Sequence, residues 1–243
     1  MRMNTEYVVV GGGEWGCYHT ERLLRAMTNG RLAPATVRIV DRNASCRAFE
    51  LYGEVAGVRF SVAEWAPFLL GWLDERAAGS GSHIVPSPHA PHLFLEWLEM
   101  FLASRRPTAA LRREPFQAEL NLPFQYPDAA GSLYLSVASW ECPLSCREPA
   151  VCPAIRARRS WELGDIIRSR SASPAASMTP LIWKSEYICP GVAGVSARAM
   201  LRGAHDLLAG GATGKAAVAT VSACHGVVSV LSYDLAPERS TCV

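Results

Sequence analysis

The chain has 243 residues, 24 Lys+Arg against 22 Asp+Glu, six His and eight Cys, and 49 % of it is apolar. That is enough apolar material for one sizeable core, or for one large and one small domain, and it excludes a disordered chain, a collagen-like repeat and a coiled coil. A formal charge of +2 is too small to direct the chain to nucleic acid or to an acidic membrane surface.

The N-terminus, Met1-Arg2-Met3-Asn4-Thr5-Glu6, runs straight into an apolar strand. No basic segment leads into a long apolar stretch with a small-residue cleavage site, so no secretory signal is read. No apolar run reaches the roughly 18 residues of a spanning helix. The expectation is a cytoplasmic chain without a membrane span. In that reducing setting, clustered Cys point to metal or redox chemistry before disulfides.

Residues 6–10 form a β-rich apolar run that breaks into Gly11-Gly12-Gly13. A helical pattern follows over 15–29, with Leu23, Leu24 and Met27 on one side and Asn29-Gly30 as the stop. Residues 36–40 make a second strand ending at Asp41. A β-α-β crossover of this kind joins parallel strands. The alternation continues with a strand at 56–62, a helix at 64–77, a short strand at 82–86, an amphipathic helix at 91–104 and a fifth strand at 132–138. Strands spaced by helices predict an α/β fold, a doubly wound, mostly parallel sheet.

After residue 139 the texture changes. Residues 140–153 are rich in Cys and Pro, and 156–180 read as an Arg- and Ser-rich exposed excursion. Order returns with an apolar stretch at 181–188, a small-residue helix at 195–209 and a β-like pair at 215–222 and 226–233, before a polar end at 236–243. Two regions are expected: residues 1–139, carrying the parallel sheet, and residues 140–243, a Cys-rich loop and α/β extension packed on the first.

Gly11, Gly13 and Gly16 fit G-x-G-x-x-G between a strand and a helix, which is the context that motif needs. The first glycine permits a tight turn, the second lets backbone approach a diphosphate, and the third allows close helix–strand packing. The helix N-terminus offers free N–H groups and partial positive charge. Asp41 stands 25 residues after Gly16, where a carboxylate can accept hydrogen bonds from a ribose diol. That favours NAD, while Arg42 beside it is a candidate for a 2′-phosphate. On residues 8–41 the chain resembles the NAD(P)-binding Rossmann superfamily. The resemblance implies a dinucleotide site held by Gly11, Gly13, Gly16 and Asp41. Glu14 and Trp15 depart from it by placing an acidic and a bulky residue at the variable positions. They leave open a turn kept for packing alone.

Cys142, Cys146 and Cys152 lie within eleven residues, and Cys189 and the Cys224-His225 pair follow. Several thiolates on one loop suit a soft metal centre. The C-x3-C-x5-C spacing matches neither a zinc ribbon nor a bacterial ferredoxin run. The expected centre is an iron–sulfur cluster, with zinc as the alternative. Its three loop ligands are Cys142, Cys146 and Cys152, and Cys189, Cys224 or His225 supplies a fourth. Redox thiols and buried apolar Cys remain the other readings. Cys17 and Cys242 read as structural, and Cys46 as a neighbour of the nucleotide face. His83, His89 and His92 cluster after the fourth strand, as solvated residues or as proton-transfer groups. Arg156, Arg158 and Arg159 form a basic flank beside the Cys loop, a solvated face or a dock for an acidic protein.

Three functions follow from these motifs. One is a redox protein or oxidoreductase subunit that combines a nucleotide site with a Cys-ligated centre, exchanging electrons with a partner subunit. The second is a non-catalytic accessory or scaffold subunit with a structural metal. The third is a nucleotide-sensing regulatory domain. No Walker A, G-x-S-x-G or H-E-x-x-H motif is present, and no catalytic residue is assigned.

Overall fold

A computed structural model describes residues 5–76, 81–143 and 146–235. In chain order the elements are β1 (Glu6–Val10), α1 (Glu14–Thr28), β2 (Thr36–Asp41), α2 (Arg47–Tyr52), β3 (Val58–Val62), α3 (Trp65–Arg76), β4 (His83–Val85), α4 (Leu93–Arg105), β5 (Ala110–Glu114), β6 (Phe124–Pro127) and β7 (Leu133–Ser136). They continue with β8 (Val151–Cys152), β9 (Ala157–Arg158), α5 (Leu163–Ser171), β10 (Thr179–Cys189), β11 (Val192–Ser196), α6 (Ala197–Ala209), β12 (Thr213–Val221) and β13 (His225–Asp234).

The chain divides into two compact units. The first holds the described residues of Met1–Trp97, Cys142–Pro149 and Ser185–Leu201, and the second those of Leu98–Glu141, Ala150–Lys184 and Arg202–Val243. The chain passes from one to the other within α4, β10 and α6, and also at 141/142 and 149/150.

In the first unit the strands run β3-β2-β1-β4 in parallel. β11 pairs antiparallel with β4, and the C-terminal half of β10 pairs antiparallel with β11. β1 is buried along its whole length, as expected of a strand covered on both faces. The helix α1 turns Leu23 and Ala26 onto the core that Val9, Val37 and Ile39 build. It stops where expected: Gly30 takes a positive φ of 67°, and Arg31 N–H returns to Ala26 O at 2.8 Å, a glycine-ended helix cap.

Among its described residues the second unit is antiparallel apart from one pairing. The N-terminal half of β10 runs parallel to β12, β12 pairs with β13, and β13 pairs with both β5 and β7, the latter continuing to β6. α5 closes its core by burying Leu163 and Ile167 against Ala217, Ala219 and Val228.

The doubly wound, mostly parallel Rossmann-like sheet is therefore corrected. Among the described residues, eleven strands take part in a mixed sheet. Among the described residues only the pairings β1–β2, β1–β4, β2–β3 and β10–β12 are parallel. The physical reason lies in the connections. Parallel neighbours need a crossover, whereas a short connection returns the chain antiparallel. Beyond β4 the alternation of strand and crossover helix gives way to hairpins such as β12–β13. The expected fifth parallel strand, β7, is an antiparallel neighbour of β13 and β6. The stretch read as an exposed excursion contains α5, whose Leu163, Ile166 and Ile167 make a short apolar stripe among Arg and Ser. The polar end at 236–243 lies outside the described residues. Among the described residues, no helix is long and apolar enough to cross a membrane.

Candidate functional site

The glycine turn lies in the first unit, where β1 gives way to α1. Gly11 takes φ +86°, a conformation that side chains resist, and its N–H is tied to Val40 O at 2.8 Å. A Cβ on Gly16 would collide with Gly11 O, and one on Gly12 with Cys46 Sγ. The fold itself demands glycine at these three places. Gly13 differs. It is exposed, its φ of −79° suits any residue, and a Cβ there would meet nothing within 4 Å.

Gly13 is also the N-cap of α1, and no side chain caps the helix. The first intrahelical bond is Cys17 N–H to Gly13 O at 2.9 Å. The N–H groups of Glu14, Trp15 and Gly16 thus belong to the open first turn. Glu14 is exposed. Trp15 packs along its own helix, its ring 5.9 Å from those of Tyr18 and His19.

Asp41 closes β2 beside the turn. Its Oδ2 accepts Gly12 N–H at 2.6 Å and its Oδ1 accepts Asn43 N–H at 2.8 Å. A carboxylate offers about four acceptor positions, so each oxygen keeps capacity for a hydroxyl. The segment after Asp41 folds back, and Ala48 N–H donates to Gly12 O at 2.8 Å. Cys46 is buried against Gly12. Cys17 lies on the same side, its Sγ 4.0 Å from Gly12 O, and burial pushes its thiol pKa up. The turn thus brings together Gly11, Gly13, Gly16 and Asp41.

Two neighbours carried no motif. Trp65 opens α3, and Ser87 follows β4. A Cβ on Gly11 would lie 3.7 Å from Trp65 Cζ2 and 3.9 Å from Ser87 Oγ. Trp65 Nε1 is buried without a hydrogen-bond partner. Ser87 was reachable from sequence as the residue just past the short strand, whereas nothing marked Trp65. His89 N–H donates to Ser87 Oγ at 3.2 Å, and His89 itself is exposed. His83 sits on β4 with Nδ1 2.9 Å from Gly81 O.

The cysteines are distributed over both units. In the first, Cys142 and Cys146 are half-buried, and Cys146 Sγ accepts Glu148 N–H at 3.4 Å. Cys189 ends β10 in the same unit, 5 % exposed, with Sγ 3.8 Å from Arg22 O. Burial raises its thiol pKa, against a smaller opposing effect of Arg147 and Arg22. In the second unit, Cys152 is buried on β8. Cys224 sits in the β12–β13 connection, where its Sγ accepts Trp161 Nε1–H at 3.3 Å, and His225 is exposed at the start of β13. Among the described residues, no three His, Cys, Asp or Glu side chains form a group that could hold a metal ion. Cys242 lies outside the described residues.

No curated protein and no solved structure matches the chain. Residues 93–234, more than half of the sequence, match the family model AF_1314_C, described as "Uncharacterized protein, C-terminal domain". The glycine turn precedes that span, while every strand from β5 to β13 lies within it. The chain belongs to the AF_1314_C family.

Proposed function

We propose that the first unit binds a nucleotide with a ribose diol and a diphosphate, NAD being the form that Asp41 favours. The observation that carries this reading is Gly13. Gly11, Gly12 and Gly16 are needed to fold the turn; Gly13 is not. A polar side chain at that N-cap would stabilise α1 by a few tenths of a kcal/mol over glycine. Glycine instead leaves the first-turn N–H groups uncovered, as an approaching phosphate requires. Asp41, fixed by two backbone N–H groups, is held ready to accept from a ribose.

Ligand-dependent thermal unfolding of the full chain tests the reading, because a ligand that binds only the folded state raises Tm. NAD and ADP-ribose are expected to raise Tm at millimolar concentration, with NADP weaker because its 2′-phosphate would meet the Asp41 carboxylate. An unchanged Tm with all three would remove the proposal and leave the turn as packing.

A further inference from the structure

A separate cleft of about 630 Å³ opens in the second unit, a volume typical of small-molecule sites. Strand register builds its floor and one wall. Val230 on β13 stands opposite Glu114 on β5, and the next row on that face aligns Arg112, Ser232 and Lys215. Lys215 Nζ reaches across β13 to Glu114 Oε2 at 2.6 Å, and Arg112 takes the other oxygen. Those three charges satisfy one another. Val230 and Met178, 3 % and 9 % exposed, supply apolar surface.

Two more charges line the same cleft, Arg170 at the end of α5 and Glu119 in the segment after β5. Neither side chain makes an ion pair or hydrogen bond among the described residues. An unpaired cation and an unpaired anion thus face a partly apolar cleft. A guanidinium offers a fork of donors matched to a carboxylate, and a carboxylate accepts from an ammonium.

We propose that this cleft binds a small amphipathic zwitterion, the chemistry of a free amino acid with an apolar side chain. Arg170 takes the carboxylate, Glu119 the ammonium, and the side chain rests on Met178 and Val230. A thioether against an aromatic ring is a favourable contact, which makes phenylalanine a suitable probe. The site does not involve the glycine turn, and its test is independent of nucleotide binding.

The test is calorimetric titration of the full chain with L-phenylalanine, 3-phenylpropionate and phenethylamine. Phenylalanine is expected to bind with a Kd below about 1 mM, and each singly charged analogue about tenfold more weakly. Arg170→Gln should weaken phenylalanine and 3-phenylpropionate by about tenfold. Glu119→Gln should weaken phenylalanine while leaving 3-phenylpropionate unchanged. Arg168→Gln, on the same helix but paired with Asp165, is the control and should bind as the unaltered chain does. Far-UV circular dichroism checks that each variant folds. No saturable binding of phenylalanine, equal binding of 3-phenylpropionate, or wild-type affinity in Arg170→Gln would each overturn the proposal.

Discussion

Gly13 and Gly16 are the same residue type held for different physical reasons, and substitution should separate them. Gly16→Ala drives a methyl group onto Gly11 O and is expected to cost about 3 kcal/mol, read by urea unfolding. Gly13→Asp adds a good N-cap and should leave stability within about 0.5 kcal/mol. His19 offers a second test at this scale. It is 9 % exposed, its Nδ1 has no hydrogen-bond partner, and burial lowers its pKa to about 4. The folded state therefore resists a proton that the unfolded chain takes up near its ordinary value of 6.5. Stability from this group is full above that value and falls as pH drops toward 4, by about 3 kcal/mol in all. His19→Leu should lose that share of the acid sensitivity. Parallel slopes of stability against pH for the two proteins, between pH 6.5 and 4, would contradict it.

Among the elements, β1 depends on a buried charge at its first residue. Glu6 is 3 % exposed, accepts from Arg38 Nε at 2.8 Å and from Trp72 Nε1 at 2.7 Å, and its own N–H donates to Ser82 Oγ. Glu6→Ala removes the carboxylate from the Arg38 guanidinium, which is only 14 % exposed and keeps only a neutral acceptor, Ser61 Oγ, at 3.0 Å. A loss of about 3 kcal/mol is expected, measured by denaturant unfolding; a loss below about 1 kcal/mol would contradict the pairing. The apolar run of β1 and the Asn29-Gly30 stop of α1 were plain in the sequence, because both are local: a central strand reads as continuous Val, and a helix ends where glycine can turn left-handed. β5 and β6 were not legible. Their residues, Ala-Leu-Arg-Arg-Glu and Phe-Gln-Tyr-Pro, are largely exposed and lack the clean alternation of a half-buried strand. α5 had a readable stripe, but nine residues among Arg and Ser resemble a loop in composition.

For the whole molecule, sequence order is a poor guide to which segments share a core. The β-α-β pattern at the N-terminus read correctly as parallel strands, yet β11, the other neighbour of β4, arrives more than a hundred residues later. No local periodicity carries that information. The family span begins at residue 93 and so contains β11 without β4. A fragment of residues 93–234 would leave Val192 and Val195, both 0 % exposed in the full chain, on an open strand edge. It is expected to associate on size-exclusion chromatography at concentrations where the full chain runs as a sharp peak. A monomeric, cooperatively folding fragment would contradict this. The candidate site divided along the same line. The glycine turn was legible because its parts are close in sequence. Trp65 and Ser87 reach it only through tertiary packing, and the cysteine spacing carried no information about which unit each thiol joins.

The nucleotide reading is tested most directly by calorimetric titration of the full chain and of Gly13→Asp with NAD. The expected result is saturable binding at one site per chain, with loss of at least about tenfold in affinity in the variant at unchanged Tm. A carboxylate there both takes the free N–H groups and repels the diphosphate. Equal binding by both proteins, or binding by neither, would contradict the assignment of the turn.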